Sequence, residues 1–288
     1  MTKNHALYII SGLLFTLMPV DLQNYLAILM IVTVGILHGA NDLSVVKHLF
    51  NKIGQNINRN IGIYIGIVLL GGLLFYALPS LALLVFIVVS AYHFGEQHFE
   101  SKMSPSLSFL YYVSYGGLIF SIIFCAHISL TQSIIENITS LYIPSDAFWW
   151  GLSSCGLLWL IWMFRALPIQ DALQELLLVV CLALLSFRST LLFSFGFYFC
   201  FFHSLPSLRS QLIFLFGSVS MTSLKSYFYQ SFLYWLMALV GLVAVLSFVA
   251  WDLTEILPLF FVFLAAITFP HVVVMGFLFH RIGSKHSQ

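Results

Sequence analysis

The chain has 288 residues, of which 61% are hydrophobic and 7% charged, with a formal net charge of +1. Soluble domains carry about 25% charged residues, so a mean hydropathy of +1.02 excludes a soluble globular protein. It leaves room for apolar spans of roughly 20 residues and for little else. The near-neutral balance gives no footing for nucleic acid or an acidic partner.

Apolar length and polar punctuation predict an all-α, polytopic bundle of about ten spans, within a range of 8–10, forming a single integral membrane domain over residues 1–288. The first span runs over 6–20, since no small-x-small cleavage site precedes Asp21 and a signal peptide is not the reading. The others follow at 25–46, 61–78, 80–98, 108–128, 147–164, 171–187, 189–208, 227–250 and 256–280, with only Pro79 dividing the third from the fourth. With the N-terminus inside, Lys3, Lys47, Lys52, Arg59, Lys102, Arg165, Arg209, Lys225, Arg281 and Lys285 fall on one side and only Arg188 on the other. That sorting follows the positive-inside rule, favours an even count and puts both termini in the cytoplasm of a multi-pass protein of the cell (inner) membrane. Cys125, Cys155, Cys181 and Cys200 sit in apolar stretches without a CxxC and read as small buried hydrophobes.

Five of the ten histidines stand within or at the ends of spans away from the tails: His38 in ILHGAND, His93 and His98 in SAYHFGEQH, His203 in FFHSLPS and His271 in TFPHVVV. His127 ends the fifth span and reads as interfacial, and the remaining histidines read as solvated. The topology puts His38, His93, His203 and His271 in the cytoplasmic halves of four spans at a similar depth. Ionisable residues inside a membrane are costly and mark function, and four imidazoles at one level are a ligand set for a metal in a helix bundle. Asp42, four residues after His38, lies on the same face of a continuous helix and is expected to accept that histidine's spare ring N–H. Glu96, three residues after His93, and His98 are further candidates for orienting a ligand. Gly39 and Gly95 are expected to let helices approach closely. Pro206 and Pro270 free the carbonyls of Phe202 and Ala266 and bend their helices. All-imidazole ligation suits zinc, copper, iron or nickel, and a dry apolar site favours iron, oxygen and an apolar substrate. Tyr92, Phe94, Tyr198, Phe199 and Phe202 crowd these histidines in sequence and are candidates to line a slot for a long, flat, unsaturated molecule.

The motifs HGAND, SAYHFG, FFHSL and PH of Pro270–His271, in this order, resemble the Brp/Blh family of prokaryotic membrane beta-carotene 15,15'-dioxygenases. The resemblance covers most of the chain. It implies an Fe(II) centre held by histidines and cleavage of the central double bond of beta-carotene with O2 into two retinals. It also implies lateral entry of substrate from membrane lipid and a functional link to a retinal-binding rhodopsin. His38, His93 and His203 carry over directly. Two positions depart from the family pattern: Ser207 stands where a second histidine usually follows the third motif, and His98 stands where an aspartate is usual. The fourth ligand is therefore His271 or, with a helix bend, His98.

Three other readings compete. A transporter or a proton or metal relay would spread polar residues over the whole membrane depth, whereas the outer halves of these spans are almost purely apolar. A diiron desaturase would need HxxxH and HxxHH clusters, which the sequence lacks. A rhodopsin would need a lysine within a span, and the six lysines read as terminal or in loops.

Overall fold

The computed structural model describes residues 10–51, 57–99, 108–247 and 253–286. Among them every regular element is helical: α1 (Val20–Met30), α2 (Ile36–Ala40), α3 (Asp42–Asn51), α4 (Ile57–Ala77), α5 (Pro79–Phe99), α6 (Ser108–Ala126), α7 (Ile128–Thr139), α8 (Ser145–Ala166), α9 (Ile169–Arg188), α10 (Leu191–Tyr198), α11 (Leu205–Phe216), α12 (Met221–Leu246) and α13 (Leu253–His286). Two π-helical segments, Ile31–Gly35 and Phe199–Ser204, join α1 to α2 and α10 to α11. Nine stretches of the described residues are long and apolar enough to cross a membrane. Their flanks expose Leu69, Leu73, Leu184, Leu233 and Val240, as lipid-facing surfaces do. This is a multi-pass membrane protein.

The count of about ten rested on a span at 6–20. Residues 6–9 lie outside the described residues, and the rest is a helix at 10–15 that ends in a turn before Pro19. There the backbone tightens into bonds three residues back, such as Thr16 N to Leu13 O at 3.2 Å. The stretch expected at 25–46 extends over Val20–Leu49. Helix α7 occupies part of what read as a loop, since ISLTQSIIENIT is too polar for a span. Lys47 and Lys225, expected in loops, lie on α3 and α12 and are exposed.

The helices form two compact units. The first comprises residues 1–31, 91–132 and 142–203. In it α6 packs along α8, and α10 packs against α1, α6 and α9. Helix α10 is apolar all round and all eight of its residues are buried, the pattern of a central helix. Thr190 caps it by accepting from Phe193 N at 3.1 Å. Buried Gln23 accepts from Thr190 N at 3.1 Å and fixes the start of α10 to α1. His127 ties the end of α6 to the end of α9, with its Nε2 2.9 Å from Ser189 O and its Nδ1 3.0 Å from Ile123 O. Helices α5 and α6 touch backbone to backbone: a Cβ at Gly95 would lie 2.3 Å from Tyr112 O, and one at Gly116 would lie 2.0 Å from Ala91 O. No side chain fits at either position, so the expectation for Gly95 holds.

The second unit comprises residues 32–90, 133–141 and 204–288. Helix α13 packs along α4 and touches α3 and α12, while α12 also packs on α2. Val45, Val46 and Leu49 of α3 meet Val274, Met275, Leu278 and Phe279 of α13 in a buried apolar cluster. Gly217, at φ 77°, ends α11 in the left-handed conformation that glycine adopts without strain.

Candidate metal centre

In the first unit, His93 on α5 and His203 in the second π-helical segment are both buried, with ring centroids 4.8 Å apart and planes at 78°. Phe94 leans over His203 at 4.5 Å, and Phe199 stacks on it at 5.5 Å. Tyr198 stacks on Phe202 at 5.8 Å and meets Phe94 at 5.6 Å. These four expected lining residues thus gather around His203. On the side towards α9, Tyr198 and Phe202 border a void of only about 10 Å³, so there the rings fill space and leave no slot. Tyr92 points elsewhere: its hydroxyl donates to Glu96 Oε1 at 2.9 Å, and its ring meets Tyr112. The other oxygen of Glu96 lies 3.9 Å from His93 Nδ1.

His98 has a separate setting in the same unit. Its Nε2 meets Glu175 Oε2 of α9 at 2.8 Å, and its ring stacks on Tyr115 at 4.7 Å. Five residues of helix turn it about 140° from His93.

In the second unit, His38 on α2 and His271 on α13 are buried with ring centroids 4.7 Å apart, edge to face at 88°. The Nδ1 of His38 is hydrogen-bonded to Gly35 O. That carbonyl can only accept, so Nδ1 carries the proton and Nε2 holds the lone pair. The Nδ1 of His271 donates to both oxygens of Asp42, at 2.9 and 3.0 Å, which likewise fixes Nε2 as its lone-pair atom. Asp42 also accepts from Tyr64 Oη at 3.0 Å. This is the carboxylate–histidine arrangement that orients a metal ligand and raises its basicity.

Two expectations change here. Asp42 takes its imidazole bond from His271, on a distant helix, and His38 is turned to Gly35. The reason is local: the helix breaks at Asn41 (φ −94°, ψ 5°), so residues 38 and 42 do not share one continuous face. Nor is Gly39 needed for tight packing, since a Cβ there would stand an ordinary 3.6 Å from His271 Nδ1.

The break and the preceding π-helical segment strip carbonyls of their helical partners, and buried carbonyls need replacements. Side chains of α11 and α12 supply them. Gln211 Nε2 donates to His38 O at 2.9 Å, and Trp235 Nε1 donates to Val32 O at 2.8 Å. The Tyr227 hydroxyl stands 3.1 Å from His38 O and 2.9 Å from Gln211 Oε1. Gln211 also reaches Ser207 Oγ at 3.5 Å, so the residue that departs from the family pattern is buried beside this clamp. Sequence reasoning passed over Gln211, Tyr227, Tyr64 and Glu175. A glutamine and a glutamate inside apolar runs were the available signal. Each π-helical segment adjoins or contains one of the histidines, a placement common at functional sites.

The family profile described as "Beta-carotene 15,15'-dioxygenase" matches residues 29–279. The chain belongs to the beta-carotene 15,15'-dioxygenase family. It is also similar to the beta-carotene 15,15'-dioxygenase of uncultured marine bacterium 66A03, at 26% identity over 296 residues, covering 93% of this chain and 98% of the relative. No solved structure matches the chain. Membership in this family favours the enzyme over the transporter reading.

Proposed function

We propose that this protein cleaves the central 15,15' double bond of beta-carotene with O2 to give two retinals, at a ferrous centre held by its intramembrane histidines. The observation that carries the ligand assignment is the fixed tautomer of His38 and His271. Gly35 and Asp42 hold the two Nδ1 protons, and each ring therefore offers Nε2, the lone pair a divalent ion needs. Buried His38, His203 and His271 are three members of the proposed ligand set. His93, packed on His203, is the fourth member of the proposed set, and His98, engaged by Glu175, is not in it.

When bound, iron supplies the one-electron chemistry that lets O2 react with a closed-shell polyene. The atoms balance without a reductant or a proton: the double bond breaks, and each of its carbons takes one oxygen as an aldehyde. The chain's own residues bind, orient and exclude water. Phe94, tilted over His203, and Phe199, stacked on it, offer faces for a polyene plane. Burial of all four histidines keeps bulk water from reactive species. Carotene enters and retinal leaves through the lipid of the cell membrane, where a retinal-binding partner would take up the product.

Expression in a host that accumulates beta-carotene tests this. Loss of orange colour with retinal in the extract, absent in a His203→Ala control made at equal level, is expected. Persistent carotene in a well-expressed, iron-supplied membrane fraction would overturn the reading.

A further inference from the structure

Tyr92, His93 and Glu96 follow one another on α5, and the spacings of four and three residues bring Glu96 beside both of the others. The Tyr92 hydroxyl donates to Glu96 Oε1 at 2.9 Å. The Tyr92 ring packs on Phe109 and Tyr112 of α6, at 5.5 and 5.7 Å. Gly95 pins the same turn, since it touches Tyr112 backbone to backbone. The second oxygen of Glu96 is the unexplained group. Glu96 Oε2 is buried and has no hydrogen-bond partner among the described residues, where buried polar atoms are as a rule satisfied. It lies 3.9 Å from His93 Nδ1, about 1 Å beyond an ordinary N–H···O contact. A bond to Tyr92 serving stability alone would need one oxygen and leave the other free to turn outward. Here the other is turned inward, towards the ring.

We propose that Tyr92 and Glu96 are positioning residues for His93: Glu96 Oε2 accepts from His93 Nδ1 when a divalent ion is held at Nε2, and Tyr92 anchors the carboxylate through Oε1. This rests on the assignment of His93 as a ligand. A metal at Nε2 excludes the proton from that atom, so the ring carries it on Nδ1. The cation also makes that N–H a stronger donor, which favours a carboxylate acceptor. With Oε1 held by Tyr92 as a pivot, the soft terminal torsion of the glutamate lets Oε2 swing to the ring without moving α5. The second unit builds the same chain of groups from separate helices: Tyr64 donates to Asp42, and Asp42 accepts from His271 Nδ1. Tyr92, expected to line a substrate slot, thus acts on the metal through Glu96.

The test uses the full chain in mild detergent, stripped of metal and titrated with Co(II), whose visible absorption reports its ligands. Affinity against a graded chelator, the absorption band and the rise in melting temperature on adding Co(II) are read together. Glu96→Ala should bind Co(II) about 10–100-fold more weakly, with a shifted band and a smaller rise. Glu96→Gln keeps an acceptor oxygen in nearly the same shape and should recover much of the affinity. Tyr92→Phe frees the pivot and should cost about fivefold. Wild-type affinity and band in Glu96→Ala would overturn the proposal. So would a loss that Glu96→Gln does not relieve, because it would trace to charge alone. Retinal formation is measured on iron-loaded portions of the same preparations. Co(II) binding that responds to Glu96, with no retinal from the iron-loaded wild type, would sink the proposed catalysis and leave the positioning role standing. Retinal from the wild type, with Co(II) binding indifferent to Glu96, would do the reverse.

Discussion

Replacing Asp42 with Ala removes the acceptor of two imidazole contacts, at 2.9 and 3.0 Å, and of the Tyr64 hydroxyl at 3.0 Å. Asp42 is 1% exposed, so water does not replace it. The His271 N–H left behind costs about 1–3 kcal/mol, and the ring loses the hold on its tautomer. At about 1.4 kcal/mol per factor of ten, metal affinity should fall roughly 10–100-fold, the range seen when such supporting carboxylates are lost. Asp42→Asn keeps one acceptor oxygen and should fall less. Tyr64→Phe deletes one of the bonds that hold the carboxylate and should cost about 1 kcal/mol, roughly fivefold. The assay is iron per chain after dialysis against a graded chelator, with retinal formation alongside. An Asp42→Ala protein that expresses normally and keeps full iron and full retinal output would refute the role given to Asp42.

Further outcomes follow from the same geometry. Gln211→Leu and Tyr227→Phe each remove a donor to the His38 carbonyl and should lower thermal stability by about 1 kcal/mol apiece; because the two side chains bond each other, the double variant should lose less than the sum. Gly116→Ala drives a methyl into Ala91 O at 2.0 Å and should cost at least about 1–3 kcal/mol, read as a lower melting temperature and poor yield. His98→Ala removes the imidazole that Glu175 meets at 2.8 Å and should destabilise by about 1–3 kcal/mol, while the folded fraction keeps its iron; iron lost in proportion to His98 would restore it as a ligand.

The spans were legible because hydropathy alone decides them: LLFSFGFYFCFF admits no other reading, and Pro79 marks the division between α4 and α5. The candidate ligand histidines were legible because an ionisable group in an apolar run has few innocent explanations. What the sequence hid is backbone detail. The break at Asn41 redirects Asp42 from its neighbour His38 to His271, 229 residues away, and no helical-spacing rule anticipates a break. The π-helical segments carry no sequence signature, so the carbonyls they expose, and the Gln211, Tyr227 and Trp235 side chains that cap them, were invisible as a set. Helix α7 was missed for a different reason: it is too polar to read as a span and too short to stand out. Glu175 was overlooked although it lies inside a span, and it is the residue that engages His98.

The most direct test of the central claim is metal stoichiometry on the purified protein, in the wild type and in the single variants His38→Ala, His203→Ala and His271→Ala, with retinal formation from beta-carotene measured on each. The account predicts about one iron per wild-type chain, at least tenfold weaker retention in every variant, and no retinal from any of them. Retinal formed at the wild-type rate by either His38→Ala or His271→Ala, with iron content unchanged, would contradict it.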